Sequence, residues 1–326
     1  MGLILSVFGL IIAFAAWYWP DYWKHPSGEK GATTKQLLPA GSEWRKNKPH
    51  DSFAFTRMDF PDAQSTFPTS INDEGDIAGI YQFSGGQRSF IRYRQGSITS
   101  FEYPNTAETT NATGINGNGE VVGFYYDNTK GGNGSPAHGF LRNKDGTFNS
   151  FSYPDAIHTF AHGINDKREI VGAYEDCDGL VRGFLFHSVG SFSSLDFPGA
   201  ASTVPTGINN EGDIIGYWRD PQFGDRGFLR HADGTFVPIM PDPTTYTHPK
   251  GINNSGDLVG QTGLGTFIRR KDGTLSLFDH PACLGSSCTS PTGVNSQLEV
   301  VGHYQISSGV HGFIAKVKPK EESSRQ

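Results

Sequence analysis

A short motif, Gly/Ser-Ile/Val-Asn, occurs six times at nearly constant spacing, and this recurrence narrows the possible folds more than any other feature. Its Asn falls at Asn72, Asn116, Asn165, Asn209, Asn253 and Asn295, at intervals of 44, 49, 44, 44 and 42 residues. The flanks repeat as well. Ile208-Asn209-Asn210-Glu211-Gly212-Asp213-Ile214-Ile215-Gly216 aligns position by position with Ile252-Asn253-Asn254-Ser255-Gly256-Asp257-Leu258-Val259-Gly260. A His/Arg-Gly-Phe core follows, as in His138-Gly139-Phe140, Arg182-Gly183-Phe184, Arg226-Gly227-Phe228 and His311-Gly312-Phe313. Then come a turn such as Lys144-Asp145-Gly146-Thr147 and a segment ending in an aromatic and Pro, as in Phe151-Ser152-Tyr153-Pro154.

Each unit therefore holds four short extended segments separated by hairpin turns, because Asn, Asp and Gly tolerate the positive φ that such turns need. A repeat of roughly 40–50 residues with four strands predicts one blade of a β-propeller. The 42 glycines of 326 residues fit a chain with many tight turns. A helical solenoid would need Ala- and Leu-rich 3.6-residue patterns, which are absent. A β-solenoid is the alternative architecture, although its coils are usually shorter.

The two ends fix the expected count. The sixth unit stops at Phe313-Ile314-Ala315-Lys316-Val317 without a fourth strand, and the repetitive part begins with one spare strand in Phe53–Pro61. The sequence thus predicts an all-β, six-bladed β-propeller over 53–317, in which the N-terminal strand completes the last blade and leaves no open sheet edge.

Upstream, Leu3–Trp19 carries no charge. It reads either as a signal peptide cleaved near Ala13-Phe14-Ala15 or as one N-terminal transmembrane helix, short for a bilayer span. No Lys or Arg precedes it, and Trp17, Tyr18, Trp19, Tyr22 and Trp23 suit an interfacial belt. The anchor is the favoured reading for 1–19, with a linker over 20–52 and a polar tail over 318–326. The following Lys24, Lys30 and Lys35 would keep the propeller cytoplasmic by the positive-inside bias, whereas a Cys283–Cys288 bridge and the resemblance given below point outward, and the outward placement is favoured. Cys283 and Cys288, close together in a slightly longer unit, suggest a disulfide and an oxidising compartment. Cys177 remains as a free thiol. No second Cys or His pair stands at zinc-ligand spacing.

The pattern Pro-x-Ala…Gly-Ile-Asn-x-x-Gly-Asp/Glu-Ile/Val-Val/Ile-Gly, with its His/Arg-Gly-Phe-Leu core, resembles bacterial extracellular repeat proteins of the HAF type over residues 53–317. That resemblance implies a propeller and export, and brings no catalytic motif with it. The first and fifth units depart from the core, with Arg88-Ser89-Phe90 and Gly265-Thr266-Phe267.

Chemistry must be sought where symmetry breaks, because a scaffold repeats and a site usually does not. One residue before the recurring tripeptide the chain reads Thr69, Thr113, His162, Thr206, Lys250 and Thr292. His162 and Lys250 are thus candidate binding residues at the channel mouth, together with Arg182, Arg226 and His138 of the core motif and the loop Asp127–Ala137. The six Phe residues (Phe90, Phe140, Phe184, Phe228, Phe267 and Phe313) read as packing between blades. Thr66, Thr110, Thr159, Thr203, Thr247 and Thr289 read as satisfying backbone groups near the channel. The acids Asp76, Glu120, Glu169, Asp213, Asp257 and Glu299 raise a calcium site, but a bidentate Glu at the twelfth loop position is missing, so no cofactor is expected. There is no nucleophile elbow or Walker motif.

The net charge of −6, with no basic block in the repeats, argues against nucleic acid. The expected function is a non-catalytic binding or scaffolding propeller, tethered to the membrane outside the cytoplasm, with a protein or glycan partner on the face of variable loops. A glycan- or polymer-active enzyme and an accessory subunit of a membrane complex are the alternatives.

Overall fold

The computed structural model describes residues 52–104, 109–127, 135–241, 245–263, 265–283 and 288–318. The expected anchor at 1–19, most of the linker, the tail beyond Lys318 and the centre of the Asp127–Ala137 loop lie outside the described residues. Among the described residues no helix is long and apolar enough to cross a membrane.

The described chain forms 24 strands, arranged as a propeller-like ring of four-stranded antiparallel sheets. Four sheets stand alone, and an eight-stranded one consists of two such units joined at a single parallel contact, His158 with Ala137. Within each unit the strands follow one another outward from the channel in sequence order. The exception is the unit formed by Thr289–Val294, Glu299–Ile306 and Gly309–Val317. Its outer strand is Phe53–Arg57, paired residue for residue with Val317 back to Phe313.

Two layers of packing hold the ring together. Phe90, Phe140, Phe184, Phe228, Phe267 and Phe313 are at most 1 % exposed and fill the sheet interfaces. The Gly near the start of each second strand makes room for them. A Cβ on Gly216 would come within 2.3 Å of the Val204 carbonyl oxygen and 2.7 Å of the Phe228 ring. Farther out, the aromatic residue of the crossover stacks on an aromatic of the second strand, as in Phe60–Tyr81 at 3.6 Å, Tyr153–Tyr174 at 3.6 Å and Phe197–Trp218 at 3.9 Å.

The recurring Thr at the start of each first strand anchors that crossover. Thr66, Thr159 and Thr203 each accept an N–H bond at 2.9 Å, from Phe60, Tyr153 and Phe197. Thr247 is buried with an unpartnered hydroxyl. The residue in the corresponding place is Pro241, which has no N–H to donate.

Candidate functional site at the channel

The recurring Asn builds one end of the channel. Each Asn closes an Asx-type turn through its Oδ1; Asn209, for example, accepts the Asp213 N–H at 2.9 Å. Its Nδ2 then donates to the backbone carbonyl of the next Asn. The bonds run Asn72 to Asn116, Asn116 to Asn165, Asn165 to Asn209, Asn209 to Asn253, Asn253 to Asn295 and Asn295 back to Asn72, at 2.9–3.3 Å. The ring closes on itself.

A second tier lies one residue further on. Asp73 accepts from the Ser296 N–H at 2.7 Å, the Ser296 hydroxyl at 2.9 Å and the Asn254 amide at 2.9 Å. The Asp166 N–H donates to Asn210 at 2.8 Å, and the Asn210 N–H to Asn254 at 2.8 Å. This end, where the first–second turns lie, thus carries two tiers of side-chain hydrogen bonds between units.

The recurring acids belong to the same turns. Asn116 donates to Glu120 at 2.9 Å, Asn253 to Asp257 at 3.1 Å and Asn295 to Glu299 at 2.8 Å, while Arg168 also donates to Glu120 and Lys316 to Glu299 at 2.6 Å. Among the described residues no group of three or more His, Cys, Asp or Glu is placed to hold a metal ion.

Further along the channel every first strand carries a bulge. The register with the second strand slips at Thr69, Thr113, His162, Thr206, Lys250 and Thr292 in turn, so each of these residues is left without a partner across the ladder. A bulge re-aims its side chain, and here all six line one cavity of about 70 Å³ with the two residues that follow each of them. The strands crowd together there. A Cβ on Gly251 would lie 2.7 Å from the Gly293 Cα.

The repeating Thr serves the wall. Thr113 donates to the Ala161 carbonyl at 2.9 Å, Thr206 to Pro249 at 2.8 Å and Thr292 to Pro68 at 2.8 Å. His162 does the same through Nδ1, donating to the Pro205 carbonyl at 2.7 Å. Its Nε2 is therefore an acceptor, and burial pushes its pKa down to about 4, helped by the charge of Lys250. Lys250 is the exception. Its ammonium has no hydrogen-bond or ion-pair partner among the described residues, and burial lowers its pKa against a weaker opposing pull from Asp225.

The charge of Lys250 reaches three imidazoles: His162, His248 and His303. His248 lies on the first strand of the Lys250 unit, two residues before it, with Nε2 2.9 Å from Asp225. Asp225 also accepts from Arg219 at 2.8 Å. These two contacts hold the Asp225 carboxyl below its usual range although burial opposes them. The Tyr217 ring lies 4.5 Å from His248 and the half-exposed Tyr246 ring 5.0 Å from it. His303 is 6 % exposed, and neither ring nitrogen has a partner. Its ring meets the edge or face of Phe67 at 5.3 Å, and burial lowers its pKa to about 4.

Of the candidate residues named from the sequence, the structure brings only His162 and Lys250 to the channel. His138, Arg182 and Arg226 stand on third strands, opposite Tyr125, Tyr174 and Trp218 of the second strands. His138 bonds Ser152 at 2.8 Å, Arg182 faces Asp176 at 3.5 Å, and Arg226 donates to the Thr245 carbonyl and lies over the Phe223 ring. They do not join the channel group, because the His/Arg-Gly-Phe core packs the second and third strands of its own unit. His248, His303 and Asp225 were missed by the sequence reading. They fall outside the recurring tripeptide, at positions where the residue type varies among the units.

Cys283 and Cys288 are bridged, with Cα atoms 5.6 Å apart, and Cys177 is free and exposed.

No protein-family model and no curated protein match the chain. Solved structures do. Virginiamycin B lyase from Staphylococcus aureus aligns with a TM-score of 0.50 at 12 % identity, over 82 % of this chain and 100 % of that one. The acylaminoacyl peptidase of Pyrococcus horikoshii also reaches 0.50 at 12 % identity, over 78 % of this chain and 44 % of that one. Trypanosoma rangeli sialidase with sialic acid gives 0.47 at 9 % identity, over 83 % and 58 %. The fold is a β-propeller. At these identities the propeller is all that the likeness establishes.

Proposed function

We propose that this chain is a six-bladed β-propeller that binds a ligand at the open mouth of its channel without transforming it. The closed ring of six Asn supports the blade count. One observation carries the binding site: of six bulged residues lining the channel, four are hydroxyls spent on the wall, whereas Lys250 is a cation with no hydrogen-bond or ion-pair partner among the described residues. The opposite end is laced by the Asn ring and the Asp73 tier, which favours ligand entry from the face of the crossovers and second–third loops. Loops that vary between matching units are where a scaffold carries specificity, which favours a protein or glycan partner there.

The Asp225–His248 pair beside Lys250 favours a second reading, an enzyme acting at the same mouth. Glycoside hydrolysis ordinarily needs two carboxylates flanking the bond. The carboxylate that acts on Lys250 is Asp225, already held by Arg219 and His248. Binding is the better match.

The propeller acts outside the cytoplasm, tethered by residues 1–19. The Cys283–Cys288 bridge and the likeness to HAF-type repeats support export. The test is capture from glycan and peptide panels by the full chain and by a His162→Thr/Lys250→Thr variant, which restores the residue used by the other four units. Capture should be lost in the variant with its melting temperature unchanged or raised. Capture that survives this change but is lost on neutralising Asp76, Asp213 and Asp257 would place the ligand on the turn face instead.

A further inference from the structure

We propose that the channel rim between the fourth and fifth units binds an uncharged oligosaccharide seated on the Phe223 and Tyr246 rings; this rests on the binding reading above. Exposure singles out the place. Among the described residues only two aromatic rings are exposed, Phe223 at 51 % and Tyr246 at 41 %. Apolar residues scattered singly over a surface are ordinary, but these two are neighbours. The Arg226 guanidinium lies over the Phe223 ring, 4.7 Å from its centroid, and donates at 3.2 Å to the carbonyl of Thr245, next in the chain to Tyr246. Phe223 is in the second–third loop of the fourth unit, between Ile214–Asp220 and Gly224–Arg230, and Tyr246 immediately precedes Thr247–Ile252, the innermost strand of the fifth. Both therefore belong to the face of crossovers and second–third loops, away from the Asn ring.

Neither ring has a counterpart in the repeat. The residues that stand where Tyr246 does are Ser65, Thr109, His158, Ser202 and Cys288. No other second–third loop shows an exposed large apolar residue among the described residues. The scaffold does not use the two rings either, since neither joins the core clusters of its units.

The polar groups beside the rings suit hydroxyls. The His248 ring lies 5.0 Å from that of Tyr246, and its Nε2 is 2.9 Å from Asp225. A neutral imidazole that donates from one nitrogen accepts at the other, and no described residue bonds His248 Nδ1. Arg219, whose side chain is 51 % exposed, spends one nitrogen on Asp225 and keeps further N–H groups for a ligand. Charge then narrows the class. On the strand ends and loop of the fourth unit Asp220 and Asp225 balance Arg219 and Arg226, so this surface has no net charge to draw an acidic or a basic polymer. Flat apolar rings beside a spare acceptor and spare donors match the CH face and the hydroxyl edge of an uncharged pyranose. Two rings from separate loops match a chain of such units.

The experiment is titration calorimetry on the full chain with cellohexaose, maltohexaose, chitohexaose and hexagalacturonate, repeated on Phe223→Ala, Tyr246→Ala and Val189→Ala. Val189 is 86 % exposed in the third–fourth turn closed by His187 and Gly190, on the opposite face. At least one neutral hexasaccharide should saturate the parent and Val189→Ala alike. It should bind each ring variant about fivefold more weakly, the worth of one aromatic stacking contact. Melting temperatures should not change, as for other surface substitutions. Equal affinity in both ring variants overturns the proposal, and so does a preference for hexagalacturonate over every neutral chain. If no neutral chain binds and captured peptides are lost in Tyr246→Ala, the surface is a protein site and the oligosaccharide inference fails. Capture lost in His162→Thr/Lys250→Thr but kept in both ring variants also overturns it and leaves the binding reading standing. If the parent captures nothing, both fail.

Discussion

His303 gives the most direct test of how the channel is built, because it should make the fold acid-sensitive and be dispensable for stability. Burial lowers its pKa from 6.5 to about 4, so the folded protein binds fewer protons there than the unfolded chain does. Such a group contributes stability that is fully present above pH 6.5 and is lost as pH falls from 6.5 toward 4. At about 1.4 kcal/mol per pH unit, the loss is about 3 kcal/mol, or roughly 6 °C in melting temperature for a domain of this size. Replacing it by Leu removes an unpartnered imidazole and keeps an apolar contact to Phe67. His303→Leu should therefore be more stable than the parent by about 1–3 kcal/mol at pH 7.5 and should lose less on acidification. His162, also held at about 4, keeps a similar acid loss in the variant, so the slope should fall without vanishing. Differential scanning calorimetry of the full-length pair from pH 4 to 8 reads both effects. Parallel pH profiles, or a Leu variant less stable by more than about 1 kcal/mol at pH 7.5, would refute the reasoning.

Three further outcomes follow from the packing. Phe184→Ala, at a fully buried position, should cost about 3–5 kcal/mol in equilibrium denaturation, and less than about 1 kcal/mol would contradict the interface role of that ring. A chain starting at Asp62 lacks Phe53–Arg57 and leaves Gly309–Val317 as an open edge; it should melt well below one starting at Ser52, and equal melting curves would sink the closure by the N-terminal strand. Non-reducing peptide mapping of protein from its native host should recover Cys283 linked to Cys288, and two free thiols would count against both the bridge in that setting and export.

The ring of four-stranded sheets was legible because each of its causes recurs in the sequence. The turn residues, the six Phe and the spare strand at Phe53 each state a local geometry, and repetition makes them mutually consistent. The Asn was read as a turn former and is one, but its second role was not visible. That the Nδ2 of Asn72 reaches the carbonyl of Asn116, and so on around to Asn295, depends on how neighbouring sheets approach. Similarly, the six Thr from Thr66 to Thr289 were placed near the channel, whereas those seen with partners hold the crossovers. A spacing of one residue type fixes its strand position and leaves its partner open. His138, Arg182 and Arg226 show the opposite failure: their regularity is the mark of packing, so they were poor candidates for a site.

The bulge explains why the channel chemistry was only half legible. Alternation along a strand would send the residue before the tripeptide into a ladder pair; the bulge removes that pair in every unit and turns the residue into the channel. Nothing in the sequence announces a bulge there except that Thr is tolerated four times and replaced by His162 and Lys250. Once the bulge is known, the substitutions acquire different meanings. His162 can still donate to a neighbouring carbonyl, as Thr does, and so it is absorbed by the scaffold. Lys250 cannot replicate that bond, because its donor lies at the end of a four-carbon stem, beyond the wall that a Thr hydroxyl reaches. The stem carries the charge into the company of His248, His303 and Asp225, three residues that share no position in the repeat. Regular bulges line the channel, and the one bulged residue too long for the wall is the residue on which the binding proposal rests.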